Sequence, residues 1–167
     1  AYGGYNGLHG EFMGGKGVLM SNGEQPAYIA SYRNADEFFH GDIDELRIYN
    51  RCLAEHDLKR LNQGESSVKS NNLTAYWDFN GNVENRAQSM GVHEKPEKIG
   101  EKFRFVKGRT GKALKFNGKN QTVRVGDYDG LKPTTGELTF AAWVRPNSVP
   151  EAWSIIYRKE DGSARQL

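Results

Sequence analysis

Apolar and polar residues alternate with period two through much of the chain. Phe103 and Phe105 face one way, Arg104 and Val106 the other. Val123 and Val125 alternate with Thr122 and Arg124. Ala75, Trp77 and Phe79 share a face, as do Phe140, Ala142 and Val144. This is the pattern of strands that lay one face on a core. Strand-like runs fall at Val18-Leu19-Met20, Ala27 to Tyr32, Ile43 to Tyr49, Leu73 to Phe79 and Phe103 to Val106. Others fall at Ala113 to Phe116, Thr122 to Val125, Leu138 to Val144 and Trp153 to Tyr157. Four Asn-Gly pairs (Asn6-Gly7, Asn22-Gly23, Asn80-Gly81 and Asn117-Gly118) suit the positive-φ positions of tight hairpin turns. Many short strands between turn signals predict an all-β sandwich. One helix is predicted, over Ala54 to Leu61, with Leu58 and Leu61 on one side. Residues 63–72 are polar and read as a linker between 1–62 and 73–167.

Composition narrows the function classes. A length of 167 residues is that of one domain, or of two halves of neighbouring domains. The 37% of hydrophobic residues and 20 glycines are the globular norm and speak against disorder. A net charge of +2 demands no nucleic-acid or anionic-membrane partner. No run approaches the ~18 apolar residues of a membrane helix, so a soluble chain is expected. Cys52 is the only cysteine, which excludes an internal disulfide and a cysteine-based zinc site. A start at Ala1, without methionine or signal peptide, reads as a piece of something longer.

Particular segments carry a family resemblance. Phe39-His40-Gly41-Asp42-Ile43-Asp44-Glu45-Leu46-Arg47-Ile48-Tyr49-Asn50-Arg51-Cys52-Leu53, followed by the short helix, resembles the closing signature of the laminin-G-like jelly roll. That family belongs to the concanavalin A-like lectin/glucanase group. Cys52 stands at its usual alanine and Ala54 at its usual serine, so the helix lacks the standard N-cap. Pro26 to Ser31 resembles the penultimate strand, and Leu73 to Asn82 the opening one. Gly111 to Gly118 with Val123-Arg124-Val125 resembles the next hairpin. Leu138 to Pro146 resembles the following strand, and Trp153 to Ile156 begins the one after. The resemblance implies an all-β jelly-roll β-sandwich in which the C-terminal half of one unit, 1–62, precedes the N-terminal half of another, 73–167. A few middle strands of the family pattern are not evident in either half. Two arrangements fit: a junction of tandem repeats, or a circular permutant whose halves close on each other.

Candidate chemistry begins with the carboxylates, histidines, cysteine and aromatic residues. Glucanase relatives carry Glu-x-Asp-x-(x)-Glu on one strand, and retaining hydrolysis needs two carboxyls ~5–5.5 Å apart. Here Asp42 and Asp44 alternate, but Leu46 and Arg47 stand where the second glutamate belongs, so no catalysis is expected. His9, His40, His56 and His93 have neither a nucleophile motif nor metal-ligand spacing. Cys52, at a family core position, is expected to be a buried, inert thiol. Trp77 and Trp143 are expected in the core, with Trp153 at a loop edge. Tyr128, between Asp127 and Asp129, is the aromatic expected to be exposed.

From Lys95 to Lys119 nine Lys/Arg stand against Glu97 and Glu101, a local net of +7. Since laminin-G relatives include binders of sulfated glycans, Lys107, Arg109, Lys112 and Lys115, with Tyr128, are the candidate ligand-binding residues. The competing reading is an ordinary solvent face with edge lysines. The resemblance also implies a structural calcium ion, with Asp44, Asn80 and Asn85 as candidate ligands. The alternative is that Asp44 caps backbone amides and the asparagines turn the chain. Asp44 and Asn80 can share an ion only if the two halves close together.

These observations lead to a non-catalytic extracellular recognition module that binds carbohydrate or a protein partner. The second expectation is a structural domain of a larger secreted assembly, and glycoside hydrolysis is the outsider. Secretion follows from the resemblance alone. Strands from another chain, or from flanking sequence, are expected to complete sheets that neither half completes by itself.

Overall fold

A computed structural model describes residues 2–3, 10–11, 25–65, 72–87, 95–132, 136–147 and 153–159, with only the backbone of the first two pairs. Its strands are β1 (Tyr2–Gly3), β2 (Gly10–Glu11), β3 (Ala27–Ile29), β4 (His40–Tyr49), β5 (Leu73–Trp77) and β6 (Glu97–Ile99). They continue with β7 (Arg104–Lys107), β8 (Lys112–Asn117), β9 (Thr122–Val125), β10 (Thr139–Pro146) and β11 (Tyr157–Lys159). Helix α1 spans Glu55–Asn62, and a 3-10 turn covers Asp129–Leu131. The expected run Val18-Leu19-Met20 lies outside the described residues, as do Asn6-Gly7 and Asn22-Gly23.

The chain is mostly β. β1 and β2 pair as a two-residue ribbon. The remaining strands form two antiparallel sheets. The larger has the order β10-β4-β8-β7, with β5 beside β8 along the same edge of β4. The smaller has the order β11-β3-β9-β6. Phe140 of β10 meets Tyr157 of β11 with ring centroids 5.6 Å apart. At the other end, the Lys98 ammonium of β6 lies 5.8 Å from the Phe105 ring of β7. The sheets therefore stack in the same strand order, consistent with a β-sandwich.

The core between them draws on both sheets and on both sides of residues 63–72. Ile29, Ile43, Leu46 and Ile48 pack with Trp77, Leu114, Phe116, Val123 and Val125. Among the described strands, β4 and β3 pair only with ones that follow the linker: β4 with β5, β8 and β10, β3 with β9 and β11. Gly41 permits the close approach of β10, since a Cβ there would strike the Arg145 carbonyl and Pro146.

β4 contains a bulge. Ala141 registers with Arg47 and Trp143 with Asp44, so Glu45 and Leu46 oppose Ala142 alone. Glu45 takes a left-handed φ of 52°, which resets the alternation and keeps both Ile43 and Leu46 in the core. Outside this sheet a second cluster of Tyr49, Leu53 and Leu61, with Leu73 and Ala141, seats α1. Ala54 is the N-cap and supplies no side-chain bond.

Several expectations need correction. The run from Ala27 stops at Ile29, because Ala30 turns to a φ of 71°. Trp153 to Ile156 is not a strand; the strand is Tyr157–Lys159. β6 was not expected, for Glu97-Lys98-Ile99 shows no apolar alternation at its sheet edge. Asn117-Gly118 does not close a hairpin, since β8 and β9 belong to different sheets. Instead Asn117 Oδ1 accepts from the Lys119 and Asn120 amides, and Gln121 Oε1 accepts from the Asn117 amide, which closes an arch between the sheets.

Candidate functional site

The basic candidates gather on one hairpin. β7 and β8 pair so that Lys107 stands opposite Lys112 and Arg104 opposite Lys115, with Arg109 in the turn. Like charges directly opposite one another destabilise an antiparallel pair. Among the described residues no carboxylate lies within ion-pair distance of Arg104, Lys107, Lys112 or Lys115. Arg109 is engaged: its guanidinium donates to the Asn62 carbonyl at 3.0 Å and lies 4.6 Å from the Trp143 ring centroid.

The register carries this charge across the larger sheet. Arg104, Lys115, Asp42 and Arg145 are successive partners on β7, β8, β4 and β10. The flanking row Phe105, Leu114, Ile43 and Val144 faces the core, so the charged row lies on the outer face. Asp42 is buried and takes Arg145 Nε at 2.7 Å on Oδ2, while its Oδ1 has no hydrogen-bond partner among the described residues. The Arg145 side chain is 71% exposed.

Further along this face lie Asp44, Glu45 and Arg47. The Tyr76 hydroxyl donates to Glu45 at 3.0 Å, and Arg47 pairs with Glu45 while its guanidinium sits 4.2 Å from the Tyr76 ring centroid. Burial, with Glu45 beside it, holds the Tyr76 hydroxyl far above the usual tyrosine range. A groove of about 400 Å³ runs past Glu45, Arg47, Leu58, Ala141 and Trp143.

The calcium candidates act on the hairpin instead. Asp44 Oδ2 accepts from the Arg109 and Thr110 amides at 2.8 and 3.2 Å, and Oδ1 from the Glu45 amide at 2.8 Å. Gly108 leaves room for this approach, because a Cβ there would strike Asp44 Oδ2. Asn80 Oδ1 accepts from the Lys112 amide at 2.7 Å. Asp44 and Asn80 thus hold one turn, from opposite sides of the linker in sequence. Asn85 lies elsewhere: its Oδ1 accepts from the Tyr76 and Ala87 amides, and its Nδ2 donates to the Tyr128 hydroxyl at 2.6 Å. These oxygens are committed to backbone amides and do not fit a calcium cage. No group of three or more His, Cys, Asp or Glu is placed for a metal among the described residues. Burial, and then the neighbouring Glu45, hold the Asp44 carboxyl above its usual value despite the three amides.

The remaining candidates also move. Tyr128 is only 7% exposed: its ring joins the core and its hydroxyl donates to the Thr74 carbonyl, so it offers no open stacking surface. Cys52 is exposed rather than buried, because Leu53 takes the core position at the end of β4. Trp77 is fully buried, but Trp143 lies half-buried on the outer face under Arg109. Trp153 is 83% exposed. Arg104 was counted in the basic stretch and Arg145 was not singled out at all. Their place beside Asp42 depends on register across β4, which no linear spacing carries.

Scans against protein-family models, curated proteins and solved structures return no match for this chain.

Proposed function

We propose that this chain is a non-catalytic recognition module of laminin-G-like, concanavalin A-like jelly-roll type, which binds an anionic carbohydrate on the β7–β8 hairpin. One observation carries the reading. Arg104 and Lys115, and Lys107 and Lys112, face one another directly with no described carboxylate to neutralise them. Period two projects the two pairs to opposite faces of the hairpin, so a sulfate or uronate at each pair, with Arg104–Lys115 on the outer face, would remove that repulsion through charge-assisted bonds. The acids of β4 support the non-catalytic part: Asp42 is held by Arg145, Asp44 by three amides and Glu45 by Tyr76 and Arg47. The family resemblance supports an extracellular setting, and calcium has no part in the proposal.

The test is binding of the intact chain to heparin by calorimetry across a salt series. Binding is expected to weaken steeply with salt, because exposed charges are screened within about 8 Å at physiological ionic strength. It should vanish when Arg104, Lys107, Lys112 and Lys115 are reversed to glutamate. Heparin retention by the reversed, folded protein would reject the reading.

A further inference from the structure

We propose that Asp42 accepts a free hydroxyl of the bound glycan, so that the outer-face row selects a partly sulfated sugar chain over the most highly charged one. This rests on the glycan reading of the same face and names the ligand class that the face takes. Of the three acids on β4, Asp42 alone keeps a carboxylate oxygen with no partner among the described residues. Asp44 commits both oxygens to three backbone amides, and Glu45 commits both to Tyr76 and Arg47. Arg145 bonds Asp42 twice, through Nε at 2.7 Å and through Nη2, but both bonds fall on Oδ2. Oδ1 is left unbonded although the side chain is only 4% exposed.

That oxygen does not belong to the sandwich core. Ile43, next along β4, points inward with Leu114 and Val144, so Asp42 points outward into the charged row. A buried acceptor without a donor is costly, and groups so placed are normally satisfied. None of its neighbours on this face satisfies it. Lys115, directly opposite on β8, forms no ion pair with it, and Arg145 is held on the other oxygen. His40, two residues back on β4, lies with Nε2 3.0 Å from Asn147 Nδ2, and Asp44, two residues on, has no donor to offer.

A donor from outside the protein fits this place, and its chemistry is constrained. A carboxylate oxygen only accepts, so it takes a hydroxyl and repels a sulfate or uronate put there. The cations on either side, Lys115 and Arg145, take the anionic groups instead. Adjacent strands lie about 4.8 Å apart, so the row calls for an anion at Arg145, a hydroxyl one strand on, and anions again at Lys115 and Arg104. The Arg145 side chain is 71% exposed, which leaves its guanidinium room to turn from Asp42 to a ligand anion and open the carboxylate to the hydroxyl. A partly sulfated sugar chain carries both kinds of group. A fully sulfated one has lost the hydroxyl.

Calorimetry of the intact chain with two probes tests this: heparin, and the same heparin exhaustively O-sulfated. The native protein is expected to bind heparin more tightly, although the second probe carries more charge. Asp42→Asn should reverse that order. Its carbonyl oxygen turns to Arg145, which only donates, and its NH2 group takes the place of Oδ1. Affinity for heparin should then fall about tenfold, the size of one hydrogen bond to a charged group, while affinity for the O-sulfated probe rises. A thermal melt checks that the variant is folded, and the ranking of the two probes by the native protein stands without it. Native protein that ranks the probes by their charge overturns the proposal and leaves the glycan reading intact. So does an Asp42→Asn variant that gains equally for both probes, as loss of a nearby negative charge alone would produce. Failure of the native protein to bind either probe overturns both.

Discussion

Asp44→Ala is the most informative single substitution, because three backbone amides converge on that side chain. The Glu45 amide is buried with its residue, and no water replaces the lost carboxylate there. An unsatisfied buried donor costs about 1–3 kcal/mol. The Arg109 and Thr110 amides belong to exposed turn residues, so rehydration limits their joint loss to about 1 kcal/mol. Removing a desolvated carboxylate returns part of this, which leaves a net destabilisation of about 1–3 kcal/mol. With a urea slope of about 2 kcal/mol per molar, the midpoint should fall by roughly 0.5–1.5 M. Trp143 lies under Arg109 and should report release of the turn by fluorescence. The sign of the pH dependence follows from the raised carboxyl of Asp44. A raised folded value means that its contribution is complete below the unfolded value of about 3.9 and declines as pH rises through the folded value. The advantage of the native protein over Asp44→Ala should therefore be largest in acid and smaller at neutral pH. A midpoint shift worth less than about 1 kcal/mol, or an advantage that grows with pH, would refute this account of the turn.

Four further outcomes follow from the same geometry. EDTA should leave the melting temperature unchanged, since Asp44, Asn80 and Asn85 already satisfy backbone amides; a drop on chelation, reversed by calcium, would overturn that assignment. Arg145→Ala should cost about 1–2 kcal/mol in a thermal melt, less than a fully buried pair, because the Arg145 side chain is largely exposed while Asp42 is not. Burial raises the Asp127 carboxyl, but the bonds from Lys132 and Lys159 outweigh it and hold the group below its usual value. Asp127→Asn should accordingly lose about 1 kcal/mol at neutral pH, a difference that fades in urea titrations as pH falls below 3.8. Cys52 should react with a thiol reagent in the folded protein without denaturant, and protection until unfolding would contradict its exposure.

The legible parts of the fold are those where local pattern and burial agree. Ala75, Trp77 and Phe79 share one face and are all fully buried, and Val123 and Val125 behave alike. The helix was readable from Leu58 and Leu61, although only Leu61 is buried and Leu58 remains exposed. Where pattern failed, a tertiary contact decided. Tyr128 sits between two aspartates, yet a buried ring becomes tolerable once its hydroxyl finds Asn85 and Thr74. Trp143 alternates correctly with Ala142 and Val144, and that alternation is what turns it outward, where Arg109 covers it. β6 consists of polar residues and Ile99, and the neighbouring β9 rather than its own composition makes it a strand.

The charged row on the outer face shows why the candidate site was only half readable. Arg104 and Lys115 lie eleven positions apart in one basic stretch, but the hairpin that pairs them, turning through Gly108 to Gly111, was not read from the sequence, which suggested a hairpin of 111–118 with 123–125. Asp42 and Arg145 are far away in sequence, on opposite sides of the linker. They meet the pair only because β4 enters the sheet between β8 and β10. That insertion has an electrostatic consequence. Lys115 stands between Arg104 and Asp42, so one side of it is repelled while the other faces a carboxylate already claimed by Arg145. An anion bound at Arg145 would release Asp42 Oδ2 to Lys115 and leave Arg104 for a second anionic group. The row is about 14 Å long at strand spacing, which favours an extended polyanion over a single small ion. The charge-reversal experiment can therefore be sharpened. Arg145→Ala should weaken heparin binding more than it weakens binding of free sulfate, whereas heparin binding unchanged by this substitution would confine the site to the hairpin.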